Sequence, residues 1–153
     1  MKALRPRPNR ATRQLIYSLL ADYPRYDEYI KQRKLEIAFE HQQKNLDDNF
    51  GGGRSNSYTG DPAALAKLEA EEADWRLQAL EREYKAITDC YLDGPEEAQI
   101  ICQECYFKRQ SVETIDSLIN KGKLLVSKAT ANRIWSAWLE NLAERLGLRM
   151  NHL

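Results

Sequence analysis

The chain has 153 residues, 42% of them hydrophobic and 30% charged, with a formal net charge of +0. This is enough apolar material for one ordinary core or two small ones joined by a linker. No apolar run approaches the roughly 20 residues that cross a bilayer, so a cytoplasmic chain with no membrane contact is expected.

A balanced total neither favours nor excludes a polyanionic partner, and the distribution of charge must decide. Residues 1 to 34 hold nine Lys or Arg against Asp22, Asp27 and Glu28. Residues 61 to 97 are the reverse, with eleven acids against four bases. Basic character returns from Lys108 to Arg133, where six bases face only Glu113 and Asp116. Cys90, Cys102 and Cys105 are odd in number and fall in helical patterns, which suits a reducing compartment better than a disulfide framework.

Met1 to Ala11 combines Pro6 and Pro8 with Lys2, Arg5, Arg7 and Arg10 and is expected to be a mobile basic arm. From Thr12, the spacing of Leu15, Ile16, Leu19 and Leu20 predicts a helix that stops near Tyr23-Pro24. A second helix follows, with Tyr26, Tyr29, Ile30, Arg33 and Ile37 on one side. Asn45 to Asp61, with Gly51-Gly52-Gly53 and almost no aliphatic residue, reads as a linker or functional loop.

Pro62 at a first helical position, with Asp61 as its cap, opens a helix predicted to run to about Tyr91. Ala63, Ala66, Ala70, Ala73, Leu77, Leu80, Tyr84, Ile87 and Tyr91 form one stripe; Leu65, Leu68 and Trp75 form a second beside it. The alanine-rich end would admit another helix closely, and so offers a homodimer contact. Packing within one chain explains the pattern equally well.

Asp93-Gly94-Pro95-Glu96-Glu97 reads as a stop followed by a start. Ala98, Ile101, Cys102, Cys105 and Tyr106 then recur at helical spacing. Ser111 is expected to cap a short helix with Val112, Ile115, Leu118 and Ile119 inward, ended by Gly122. Ser127 should cap the last helix, whose Ala131, Ile134, Trp135, Trp138, Leu139, Leu142 and Leu146 cover one face before Gly147. No period-two pattern occurs, and the expected fold is all-α.

On that last helix, a step of about 100° per residue puts Ala129, Arg133, Ser136 and Ala137 opposite the core stripe, with Thr130 and Asn132 on its shoulders. Arg133 is suited to guanine, Asn132 to adenine, and Ala129 or Thr130 to a thymine methyl; Ser127, Lys128 and the free backbone amides suit phosphate. Glu140, one turn on, would point away. Double-stranded DNA is therefore the expected partner, though each of these residues taken singly also fits a solvated helix surface.

The run Asp47-Asp48-Asn49-Phe50-Gly51-Gly52-Gly53-Arg54-Ser55-Asn56 resembles the glycine-rich signature of RinA/ArpU-type phage late-gene transcriptional activators. The likeness extends to Asp22-Tyr23-Pro24, the long helix, and a C-terminal helix-turn-helix similar to region four of sigma factors, where Ser127-x-x-Thr130-x-x-Arg133 fits the recognition helix. The resemblance implies a phage or prophage activator able to engage RNA polymerase. One departure is the stretch Asn120-Lys121-Gly122-Lys123-Leu124, longer than the family's tight turn. Were it a wing, Lys121 and Lys123 would contact the DNA backbone. A small terminase subunit, with a DNA-binding domain on oligomerising helices, is the alternative reading, and a protein-binding adaptor a third.

Other chemistry is weaker. Gly51-Gly52-Gly53-Arg54-Ser55 lacks the Lys-Ser/Thr ending of a P-loop, although Arg54 could follow a DNA backbone. Cys102-x-x-Cys105 has metal spacing but only Cys90, His41 and His152 as further ligands, so no metal or cofactor is expected. The acids from Glu69 to Glu83 alternate with bases as on a solvated helix, and no enzyme activity is expected. The expected organisation is a basic arm and helices over 1–44, a linker over 45–61, a central helix over 62–92 and a helix-turn-helix domain over 93–153.

Overall fold

A computed structural model describes residues 7–48, 62–148 and 150–151; the glycine-rich run with Arg54 lies outside them. The described chain is mostly helical: α1 Arg10–Asp22, α2 Tyr26–Asp48, α3 Pro62–Ala73, α4 Trp75–Asp93, α5 Glu96–Ile101, α6 Ile115–Asn120 and α7 Lys128–Leu146. A π-helical segment, Cys102–Phe107, follows α5, and a single antiparallel pairing joins β1, Arg7–Pro8, to β2, Met150–Asn151. The contacts divide the chain into two units, residues 25–81 and residues 1–24 with 82–153.

In the larger unit, α1 starts at Arg10, two residues before the expected point, because Asn9 accepts a 2.7 Å hydrogen bond from the Thr12 amide. Its buried residues Thr12, Ile16 and Leu20 fall on one side. α7 has the expected ends. The Ser127 hydroxyl accepts from the Thr130 amide at 3.2 Å, and Gly147 takes the left-handed conformation (φ 68°). Leu148 donates to Ala143 and Gly147 to Glu144, the paired bonds of a Schellman ending. Ala131, Trp135, Trp138, Leu139, Leu142 and Ala143 are buried. Burying one large aliphatic chain stabilises by roughly 1.5–3 kcal/mol, against tenths for a surface ion pair, so this stripe fixes how α7 is rotated.

Two features lock that stripe in place. Tyr17 of α1, Tyr106 of the π segment, and Trp135 and Trp138 of α7 form a column of stacked rings, with centroids 5.4, 5.6 and 5.0 Å apart. The Trp138 indole Nε1 then donates to the Cys90 carbonyl at 3.0 Å, tying α7 to the end of α4. Gly94 serves this contact. A Cβ there would lie 2.8 Å from Trp138 Nε1 and 2.9 Å from Cδ1, so the residue is small because an indole occupies the space.

The region expected to form one short helix from Ser111 starts later. Thr114 caps α6 in a reciprocal box with Ser117, and Val112, expected inward, is 88% exposed. The Ser111 hydroxyl is used elsewhere, donating to the Glu104 carbonyl and accepting from the Glu113 amide at 3.2 Å. α6 ends as expected at Gly122 (φ 74°), with Lys123 donating to Leu118 and Gly122 to Ile119.

In the smaller unit, α2 buries Tyr26 and Ile37 and half-buries Tyr29, Ile30 and Arg33, the side expected from the sequence. α2 also runs on through Asn45 to Asp48, into the span read as linker. The expected single helix over 62–92 is broken at Asp74. Asp74 Oδ1 accepts from the Leu77 amide at 2.8 Å, capping α4, and both carboxylate oxygens bind Arg33, at 3.1 Å from Nε and 2.5 Å from Nη2. A carboxylate that serves the backbone in this way ends one helix and starts another. The Arg33 hydrogen bonds, then the Leu77 amide, outweigh partial burial and hold the Asp74 carboxyl down at about 2. Ala66 and Ala70, offered by sequence to a partner, are half-buried on α3, which packs on α2 of the same chain.

Two outcomes are expected. Gly94→Ala should cost about 1–3 kcal/mol in urea unfolding, from overpacking against the indole. Combined with Trp138→Phe it should cost clearly less than the two changes summed, and additivity would deny the contact. Second, because Asp74 titrates lower folded than unfolded, its contribution is full above about pH 4 and is lost as pH falls toward 2. The melting-temperature gap between wild type and Asp74→Asn should be constant near neutrality and close across that window.

Candidate nucleic-acid interface

The short α6, a seven-residue connection and the long α7 occupy the segment that the sequence marks as the reader. Leu118 of α6, Leu124 of the connection and Ala131 of α7 are buried, and α6 packs against α7. With Trp135 and Trp138 inward, Ser127, Lys128, Ala129, Asn132, Arg133 and Ala137 are exposed, as expected. Thr130 is half-buried, with its hydroxyl 2.9 Å from that of Ser127. Ser136, expected to face outward, is also half-buried and lines a groove instead.

That groove, about 400 Å³, runs along the inner flank of α7. Tyr17, Tyr106 and Trp135 supply aromatic wall, and Arg13, Asp116 and Asn132 supply polar groups at its edge. Arg13 was not among the residues the sequence singled out. It lies more than a hundred positions away on α1, and no local pattern links it to α7.

The cations around α7 differ in how they are held. Lys128 pairs with Asp116 at 3.2 Å, both well exposed. Lys121 is bound by Glu113, and Lys123 reaches Glu104 at 3.3 Å, where Lys108 also binds at 2.6 Å. The first of these hydrogen bonds at each acid, Lys121 on Glu113 and Lys108 on Glu104, keeps the carboxyl below its ordinary range, so both acids stay charged near neutrality. Glu113 and Glu104 lie 8 and 19 residues from the lysines that define the loop, too far for a helical spacing rule to reveal. Arg133 and Arg109, by contrast, have no ion pair or hydrogen-bond partner among the described residues.

The arrangement can donate hydrogen bonds and hold anions. The thiol in the groove, Cys105, is pushed up to about 11 by burial, as is Cys90, and fully buried Cys102 is also raised. A thiol held protonated is a poor nucleophile and a poor metal ligand. Among the described residues, no group of three or more His, Cys, Asp or Glu is placed to hold a metal ion, and no helix is long and apolar enough to cross a membrane.

No curated protein and no solved structure matches this chain. One family model does, over residues 13–144, which run from the first turn of α1 to the last turn of α7 and include α6 and its connection to α7. The chain belongs to the family described as "Protein of unknown function (DUF722)".

Proposed function

We propose that this protein is a sequence-specific double-stranded DNA-binding transcriptional regulator that reads the major groove with the amino half of α7. The observation that carries the reading is the exposure of Ala129, Asn132, Arg133 and Ala137 along one side of a helix whose opposite side is buried by two tryptophans. α6, the connection and α7 then act as a helix-turn-helix, with the start of α7 presented to base edges. Arg133 is the guanine reader, since its guanidinium has no partner to leave among the described residues. Asn132 suits adenine, and Ala129 the thymine methyl.

The lysines have a different part. In this reading Lys121, Lys123 and Lys128 meet the phosphate backbone, and because each is paired with a carboxylate, each must exchange it for a phosphate. Their net gain is smaller than that of free cations, which moderates affinity for arbitrary sequence and leaves relatively more of the binding to base contacts. The resemblance to RinA/ArpU-type activators extends the proposal to a phage or prophage late-gene activator. In it, the acidic surface of α3 and α4 is available to RNA polymerase.

The experiment is selection of duplexes from a random-sequence pool, followed by anisotropy titration of the recovered site. Arg133→Ala should lose about 1–3 kcal/mol of specific binding and relax preference at one position, with the helical circular dichroism intact. Lys121→Ala should weaken all duplexes alike and lower the salt slope by at most about one. No enrichment from the pool, or unchanged affinity in Arg133→Ala, would overturn the reading.

A further inference from the structure

Among the described residues, four charged side chains line the groove beside α7: Arg13, Glu113, Asp116 and Lys128. Asp116 is paired with Lys128 at 3.2 Å, and Glu113 is bound by Lys121. The Arg13 guanidinium has no ion pair or hydrogen bond among the described residues. Both acids of the groove are thus satisfied by lysines, and Arg13 is left as its uncompensated charge.

We propose that Arg13 extends the DNA interface from α7 onto α1, binding a backbone phosphate beside the base that Asn132 meets. The proposal rests on α7 being the major-groove helix. Packing fixes where Arg13 stands. Arg13 and Tyr17 lie four residues apart and share a face of α1. Tyr17 stacks on Tyr106 at 5.4 Å, and Tyr106 on Trp135 of α7 at 5.6 Å, all within the larger unit. The column that turns Asn132 and Arg133 outward therefore also brings Arg13 to the flank of α7, where it shares a groove with Asn132. On α7, Arg133 lies about 100° further round than Asn132. A helix inserted by its Arg133 side presents its Asn132 side, with Arg13 beyond it, to the wall of the major groove, and that wall is phosphate.

The start of α1 also breaks a local rule. Its first turn holds Arg10 and Arg13 and no acid, although the positive end of a helix favours Asp or Glu. Positive charge set against the helix dipole, with no internal partner in return, is what a surface built for an anion shows. An arginine suits the task, since its planar fork meets two phosphate oxygens at once. Arg13 gives up no carboxylate on binding. Its share of counterion release is therefore complete, whereas Lys121, Lys123 and Lys128 must each leave an acid.

The test is anisotropy titration of the full chain with the selected duplex and an unrelated one over a range of salt concentrations. Arg13→Ala should weaken both duplexes alike, by about tenfold, and lower the salt slope by about 0.9, more than Lys121→Ala does. Arg13→Lys should keep the slope and lose only part of the affinity. Uncharged methylphosphonate, placed at one backbone position of the selected site at a time, should reveal a position that weakens wild type and leaves Arg13→Ala unchanged. Circular dichroism checks that each variant is helical, and Arg13→Gln, which keeps the aliphatic stem, replaces an alanine variant that does not fold. Wild-type affinity and slope without the Arg13 charge, a loss confined to the selected duplex, or an identical phosphate scan in both proteins would overturn the α1 contact and leave the reading of α7 standing. A wild type that binds no duplex would overturn both.

Discussion

The Trp138 indole, held against the Cys90 carbonyl and closed over Gly94, sets the rotation of α7 about its own axis. A helix turns by about 100° per residue, so a slip of one position would carry Arg133 toward the core and bring a tryptophan into water. The stacked column from Tyr17 to Trp138 opposes such a slip along its length, because each ring is packed against the next. The outward placement of Ala129, Asn132 and Arg133 is thus a consequence of what is buried behind them.

The π-helical segment has its place in the same arrangement. Its wider turn brings Tyr106 into the column and Phe107 against Tyr23, whose ring centroid is 4.7 Å away. The Tyr23 hydroxyl lies 2.6 Å from that of Thr88 on α4. α1, α4 and α7 are thereby joined through aromatic side chains from a six-residue segment, and the flank of α7 becomes a groove with aromatic walls. In the unit of residues 25–81, one arginine and one aspartate have the corresponding role, since Arg33 and Asp74 decide where α3 ends and α4 begins.

Much of the fold was legible in the sequence, because the signals were local. The caps and stops of α7, the buried side of α2, the Gly122 ending and the helical class each follow from residues within one or two turns of each other. The candidate reader was legible for the same reason, since the stripe of Ala131, Trp135 and Trp138 leaves only one side for Ala129, Asn132 and Arg133. Ser136 and Val112 were misjudged. Helical spacing gives an angle but not how far neighbouring elements reach around the helix.

What periodicity and capping chemistry determined alone was therefore the class of the fold, most helix ends and the outward side of α7. Tertiary structure decided the break at Asp74, the reason for Gly94, the acids that hold Lys121 and Lys123, and the place of Arg13 in the groove. Asp74 meets Arg33 across 41 residues, and Trp138 meets Cys90 across 48. A contact over such a separation exists only once packing has fixed both of its partners, and no local pattern encodes it.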